Sequence, residues 1–520
     1  MTTILIAAPY LTVLLLLVLY GLHRSHLVWQ LFKHRASLPP APPRNLPDDE
    51  LPAVTVQLPL FNEPDVLERL LDAVARIDYP RDRFEVQVLD DSTDDSRELA
   101  RAKVIELRNR GVDAVYIHRS DRTGFKAGAL DHGLKLAKGE LVAIFDADFI
   151  PQPSFLRTVV HHFADPTVGC VQARWGHLNR EASMLTRVQA LMLDGHHMVE
   201  NRARYAAGSF FNFSGTGGIW RREAIGAAGG WQHDTLTEDL DLSYRAQLAG
   251  WRFVYREDHV TPAELPEEME AFRAQQFRWA KGTVQTARKL LKRVWNRRDL
   301  PLAVRVEAFF HMTPHFAYPL MVLLAVLLLP MLLVMPVSDP LSLLLIDIPL
   351  MIGSTGSLLT FYMVAETSQG RSAWGALRRL PWLFALGSGM SPWLTRGVWE
   401  GLQAETGEFV RTPKKGESKR GGRYRARTQL PVIEIALAIE SAVSVVCALT
   451  TRHYIAAPFA MLFVMGFGYV SLLVCRERFA RLAPRPAPVL LPERESDPGM
   501  VPVALPAFAK GARATDSAAA

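Results

Sequence analysis

The 520-residue sequence predicts an α/β domain set within an α-helical transmembrane bundle of about five spans. Three observations predict it. Short apolar runs alternate with helical stretches between residues 54 and 145, which argues for a parallel sheet with helices on both faces. Long apolar segments occupy the two ends of the chain. Charged residues concentrate between about residues 50 and 300.

Ile4–Leu22 is about long enough to cross a ~30 Å hydrocarbon core at about 1.5 Å per residue. Its uncharged start, and the lack of a small-residue cleavage site before His23 and Arg24, favour a retained anchor over a cleaved signal. Phe309–Pro336 and Leu341–Val364 form two further spans around the loop Val337–Pro340. Pro431–Thr450 and Tyr454–Cys475 form a last hairpin. Basic residues set the orientation. Arg24, Lys33 and Arg35 follow the first span, Arg371, Arg378, Arg379 and the cluster Arg411–Arg427 follow the third, and Arg476, Arg478 and Arg481 follow the last. They fall on one side only if Leu380–Leu394 does not cross. That segment is short and interrupted by Gly, Ser and Pro, so an interfacial or re-entrant helix is expected. The expected organisation is an anchor (1–37), a cytoplasmic domain (38–300), a bundle (301–480) and a disordered Pro/Ala-rich tail (481–520). The protein would then be a multi-pass protein of the cell (inner) membrane.

The net charge of +6 invites a nucleic-acid partner, but much of the excess flanks apolar runs, so none is expected. Cys170, Cys447 and Cys475 are too few and scattered for a disulfide framework or a zinc site.

In the domain, Val54–Leu60, Glu85–Leu89, Ala114–His118 and Leu141–Phe145 read as strands. Val66–Ile77, Ser96–Arg110 and Thr123–Lys138 read as the helices between them. No P-loop and no GxGxxG follows any strand. The fourth strand runs into Asp146-Ala147-Asp148 before Pro151. Ligands of open α/β sheets sit outside the carboxyl ends of such strands, where two carboxylates can hold a hard cation whose shell phosphate oxygens complete. A solvated Asp pair is the plainer alternative. The second strand ends in Asp90 and Asp91 on the same edge, where a polar turn is the alternative, and the run is not an EF-hand. Gly215-Thr216-Gly217-Gly218 allows close backbone approach or a simple turn. Glu238 and Asp239 open an amphipathic helix, where acids commonly complement the dipole. Gln275, Arg278 and Trp279 share one helical face, suited to a diphosphate and a sugar ring, or to a membrane surface.

Taken in order, these motifs resemble the membrane-embedded glycosyltransferases of family 2. The likeness is greatest to the cellulose-synthase-like mannan and glucan synthases related to cellulose synthase. The matching residues are Asp90-Asp91, Asp146-Ala147-Asp148, Thr237-Glu238-Asp239 and the QxxRW of Gln275, Arg278 and Trp279, with the runs QVLDDSTDDS, GFKAGAL, VAIFDADF and VQARWGHLN. The resemblance covers residues from about 50 to 430 and implies a GT-A-type nucleotide-sugar-binding domain. It implies that Asp90 or Asp91 contacts the nucleoside with Lys126 nearby, and that Asp146 approaches the donor. Asp148 would ligate Mg2+ or Mn2+, and Asp239 would be the general base. Gln275 and Arg278 would hold the diphosphate, with Glu238 and Trp279 on the acceptor sugar. Phe409, Thr412 and Lys414 resemble a gating loop, although Arg411 replaces the hydrophobic residue that precedes the threonine in the family. The tail would carry no cyclic-nucleotide sensor. The implied reaction is an inverting, processive β-glycosyl transfer to a growing glycan that is secreted, with membrane lipid around the bundle and export partner proteins left open. UDP-glucose and GDP-mannose users share every motif, with glucose slightly favoured. A glycolipid synthase adding one or two sugars to a lipid acceptor is the alternative within enzymes. A transporter with a nucleotide-binding domain is the alternative outside them, and the scarcity of acids in the spans speaks against it.

Overall fold

The computed structural model describes residues 2–35, 46–334, 352–403 and 430–482. The start of the expected linker, the loop Val337–Pro340, the first half of the third expected span and the basic cluster Arg411–Arg427 lie outside the described residues. So do Phe409, Thr412 and Lys414 and nearly all of the tail.

Seven strands form one sheet: β1 (Val54–Leu60), β2 (Phe84–Asp90), β3 (Asp113–His118), β4 (Leu141–Ile144), β5 (Val168–His177), β6 (Gly218–Arg221) and β7 (Arg252–Ala263). Their order is β3-β2-β1-β4-β6-β5-β7. β1 to β4 are parallel, as the alternation predicts. The whole sheet, however, is mixed, because β6 runs antiparallel to both β4 and β5. The chain reverses into β6 through Gly215 and Gly217, both at positive φ, and a four-residue strand led by glycine carries too little period to be read in advance. From β1 the chain proceeds to β2 and β3 on one side, then returns to place β4 on the other. The strand order therefore reverses between β1 and β4, and a crevice opens at their carboxyl ends.

The central strands are buried on both faces, as expected of a covered parallel sheet. Val56, Leu58, Val86, Val88 and Phe145 belong to one buried core that the flanking helices complete. In chain order the principal helices are α1 (Thr2–Lys33), α2 (Leu67–Ala75), α3 (Ser96–Asn109), α4 (Phe125–Leu136) and α5 (Met184–Gly195). They continue with α6 (Glu238–Leu248), α7 (Met269–Asn296), α8 (Leu302–Met312), α9 (Ala317–Val334), α10 (Ser357–Thr367), α11 (Ala373–Leu402), α12 (Val432–Thr450) and α13 (Ala456–Leu482). Of these, α2 and α3 supply Leu67, Leu70, Leu71, Val74 and Val104 to that strand core.

Among the described residues, four helical stretches are long and apolar enough to cross a membrane: Leu5–Lys33, Pro314–Val334, Val432–Thr450 and Ala456–Arg481. They match four of the five expected spans, and the other, Leu341–Val364, is described only from residue 352. Leu380–Leu394, expected as an interfacial or re-entrant helix, is helical. It is the interior of the 30-residue α11, with Pro381 and Pro392 inside. Pro392 cannot bond the carbonyl of Ser388, and the Ser391 hydroxyl donates to that carbonyl at 2.6 Å instead.

Two acids fix which ends of the last helices face the α/β domain. Glu434, in the first turn of α12, pairs with Arg273 of α7 at 3.0 Å. Glu477, late in α13, accepts the backbone N–H groups of Met269 and Glu270. The loop between α12 and α13 therefore lies at the far end of the bundle, about 24 Å from Glu434 at a helical rise of about 1.5 Å per residue.

Candidate active site

The turn after β4 is pinned from two sides. Ile150 N–H donates to Pro262 O at 2.9 Å, and Asp146 N–H donates to Thr216 Oγ1 at 2.9 Å. Asp146 is thereby presented at the lip of the crevice. Its Oδ1 lies 2.6 Å from Lys126 Nζ, in the first turn of α4, and Lys126 also donates to Gly215 O at 2.8 Å. Gly215 has φ +81°, and a Cβ there would stand 3.0 Å from Asp239 Oδ2 and 3.5 Å from Lys126 Nζ. Asp146, Lys126, the Gly215 turn and Asp239 thus meet in one hollow. The close approach requires glycine.

Electrostatics bind this group together. Burial works against the Lys126 charge, yet Asp146, Glu238 and Asp239 hold its pKa above the ordinary lysine value. Burial, and next the Glu238 carboxylate, push Asp239 up to about 7, while Lys126 acts in the opposite direction. Glu238 is likewise raised by burial, against the pull of Lys126 and Arg278. Arg278 therefore acts on the same hollow from α7. A carboxylate whose proton affinity is lifted toward neutrality suits a general base.

The turn carrying Glu238 and Asp239 is seated on α7. Leu236 N–H donates to Gln285 Oε1 at 3.0 Å, and the Thr237 and Thr286 hydroxyls are 3.1 Å apart. Gly282 makes this contact fit, because a Cβ there would come within 2.8 Å of Thr237 N. Gly282, Gln285 and Thr286 carry no motif of their own, and only the long-range packing identifies them.

Asp90 and Asp91 reach the same edge but turn inward. Asp90 is fully buried, accepting from Ser92 N–H at 2.9 Å and from the Tyr116 hydroxyl at 2.7 Å. Asp91 makes a bidentate pair with Arg119 at 2.9 and 2.5 Å. Arg119 in turn donates to Phe125 O at 3.0 Å, bracing the loop that delivers Lys126. Asp91 is therefore joined to the hollow through Arg119, a residue the motifs did not single out.

Asp148 is buried at 8% exposure, beside Phe149, whose ring meets Trp175 edge-on at 5.3 Å. Among the described residues no group of three or more His, Cys, Asp or Glu side chains gathers to hold a metal ion. Asp148 with Asp146 offers hard oxygen donors at a strand end. Such a pair fits Mg2+ or Mn2+ when a ligand's phosphate oxygens complete the shell.

Beyond Asp239 lies a cavity of about 1030 Å³. Asp239, Gln275 and Trp279 line it near the crevice, and Arg452, His453 and Tyr454 line it in the loop between α12 and α13. Asp146, Asp148, Lys126 and Arg278 are not part of its wall. Of the charged groups that do line it, Glu200 pairs with His196 at 3.0 Å and with Arg204 at 3.3 Å, and Arg204 pairs in turn with Glu307 at 2.9 Å.

A mixed α/β sheet with acids at its switch point, joined to apolar helices long enough to span a membrane, defines a GT-A-like domain attached to a helical bundle. Residues 52–282 match the family described as "Glycosyltransferase like family 2". It is 44% identical over 258 residues to probable glucomannan 4-beta-mannosyltransferase 7 of Oryza sativa subsp. japonica, covering 49% of this chain and 44% of that protein. It is 42% identical over 264 residues to glucomannan 4-beta-mannosyltransferase 1 of Cyamopsis tetragonoloba, covering 50% of each. The chain spans about half the length of the curated relatives it matches. Among solved structures it is similar to the mannosyltransferase PcManGT from Pyrobaculum calidifontis in complex with GDP-Man and Mn2+, with a TM-score of 0.48 and 23% identity over 70% of this chain and 96% of that one.

Proposed function

We propose that this chain is an inverting β-mannosyltransferase that extends a β-glycan from GDP-mannose at the cytoplasmic face of a membrane and passes the product into its own bundle. The carrying observation is the single cavity reaching from Asp239 to the loop at the far end of α12 and α13. The names of the relatives favour mannose over the glucose that the motifs alone slightly favour, and suggest the 4-hydroxyl as acceptor.

Asp239 takes the proton of the acceptor hydroxyl as that oxygen attacks the anomeric carbon. The bond to the diphosphate oxygen breaks as the new glycosidic bond forms, so an α-linked donor gives a β-linkage and no covalent enzyme intermediate is needed. Arg278 and Lys126 stabilise the departing diphosphate, and Gln275 and Trp279 hold the acceptor end at the cavity mouth. Mg2+ or Mn2+, held by Asp148 with Asp146, would supply further charge neutralisation. The basic residues after α1 support a cytoplasmic site.

Purified full-length protein offered a panel of nucleotide sugars with Mg2+ or Mn2+ tests this reading. It should consume GDP-mannose and yield a β-linked polymer, with Asp239→Asn retaining donor binding while losing transfer. A product limited to one or two sugars on lipid would replace the polymer reading, and near-normal turnover in the Asn variant would remove the base.

A further inference from the structure

We propose that Trp175 and His197 form an acceptor-sugar subsite in the cavity, with His197 Nε2 reading one hydroxyl of the acceptor's terminal sugars. The proposal rests on the transferase reading above and gives a part to two residues which that reading leaves without one.

His197 is 1% exposed, and its Nδ1 lies 3.3 Å from the Tyr255 hydroxyl. The residue lines the cavity, yet Nε2 is buried with no hydrogen-bond partner. Buried polar atoms are paired in the great majority of proteins, so an orphan in a cavity wall points to a ligand group. His197 sits in a π-helical turn, His196–Asn201, an irregularity common at functional sites. Burial also holds the ring neutral, so it can exchange one hydrogen bond with a hydroxyl without the cost of bringing a charge.

Trp175 supplies the other half. Its ring centroid is 5.2 Å from that of His197, at an interplanar angle of 36°. Its indole N–H donates to Thr216 O at 3.3 Å, within the turn that bonds Asp146 and approaches Asp239. With that N–H engaged, Trp175 can offer a ligand only ring surface. An aromatic surface beside one polar atom matches a pyranose, whose C–H face is apolar and whose edge carries hydroxyls. The cavity they line includes Asp239 and Trp279 but not Asp146 or Asp148. The ring they would hold is therefore on the acceptor side of the base.

The test uses the full chain in lipid nanodiscs, GDP-mannose and a soluble β-1,4-manno-oligosaccharide acceptor. His197→Phe keeps ring size and removes the nitrogen. It should raise the acceptor KM by roughly three- to tenfold, the loss of about one hydrogen bond, while hydrolysis of donor without acceptor stays unchanged. His197→Gln should fall between the two, and Trp175→Leu should raise the same KM. Acceptor KM within twofold of wild type in both His197→Phe and Trp175→Leu overturns the subsite alone, as does equal loss of donor hydrolysis and transfer, which marks a structural role. Absence of any nucleotide-sugar turnover in the wild type overturns the transferase reading and the subsite with it.

Discussion

The pKa of Asp239 makes the base assignment testable by pH. Its carboxyl stands at about 7 against an ordinary 3.8, so the ionised form is disfavoured by roughly a thousandfold. Below about pH 7 the folded protein holds this carboxyl protonated, and a protonated acid cannot take the acceptor proton. The acceptor kcat/KM should therefore fall about tenfold per pH unit on the acid side of 7 and level off above it. Glu238→Gln removes the second-ranked cause of the rise, a like charge, so ionisation becomes easier and the limb should move to lower pH by about one unit. Lys126→Met removes the opposing cation and should move it the other way. The same group predicts a stability slope. Its folded pKa exceeds its unfolded value, so stability is lost as pH rises from about 4 to about 7, and Asp239→Asn should flatten that loss in thermal unfolding. An acid limb at the same pH in wild type and both variants would refute the reasoning, as would a wild-type limb below pH 5.

Three further outcomes are expected. Gly282→Ala should lower kcat roughly a hundredfold, because its Cβ would meet Thr237 N at 2.8 Å and displace the turn that carries Asp239, while circular dichroism shows helix content retained. Glu366→Gln should destabilise the protein by about 3–5 kcal/mol in denaturation, because this fully buried carboxylate pairs with Arg180 at 2.5 Å, Arg371 at 2.9 Å and Arg379 at 2.7 Å. A chelator should abolish turnover and Mn2+ or Mg2+ restore it, with Asp148→Ala needing a higher metal concentration for half-maximal rate.

What could be read in the sequence is what is local. β1 to β4 and α2 to α4 fall within a few residues of expectation, because buried strands and amphipathic helices each write their period into consecutive residues. β6 is decided elsewhere: its partners are Leu141–Ile144 and Cys170–Gln172, far away in the chain. The same division holds in the site. Asp146 and Asp239 announce themselves as acids at element ends, whereas Lys126 enters only through the family resemblance. The part of Asp91 could not be read, because Arg119, its bidentate partner, lies 28 residues on in a stretch without a motif. The length of α11 could not be read past Pro381 and Pro392, because the compensating bond from Ser391 follows from helical geometry and not from residue type.

The helix α7 couples the domain to the bundle. Its Arg278 acts on Glu238, and its Gly282, Gln285 and Thr286 seat the turn bearing Asp239. The same helix is held by the bundle. Trp393 of α11 donates to Arg273 O at 3.1 Å, Lys281 pairs with Glu400 at 3.2 Å, and a Cβ at Gly401 would touch Lys281 O at 2.8 Å. One rigid element is thus both the floor beneath the proposed base and a packed neighbour of the bundle helices. The family match ends at residue 282, whereas the seat of the base extends to Thr286 and its clamps to Glu434. A displacement of α11 or α12 must move the floor under Asp239, and a shift near 1 Å is enough to lower a rate about a hundredfold. The geometry of the bundle is therefore part of the proposed active site, whatever travels through the cavity.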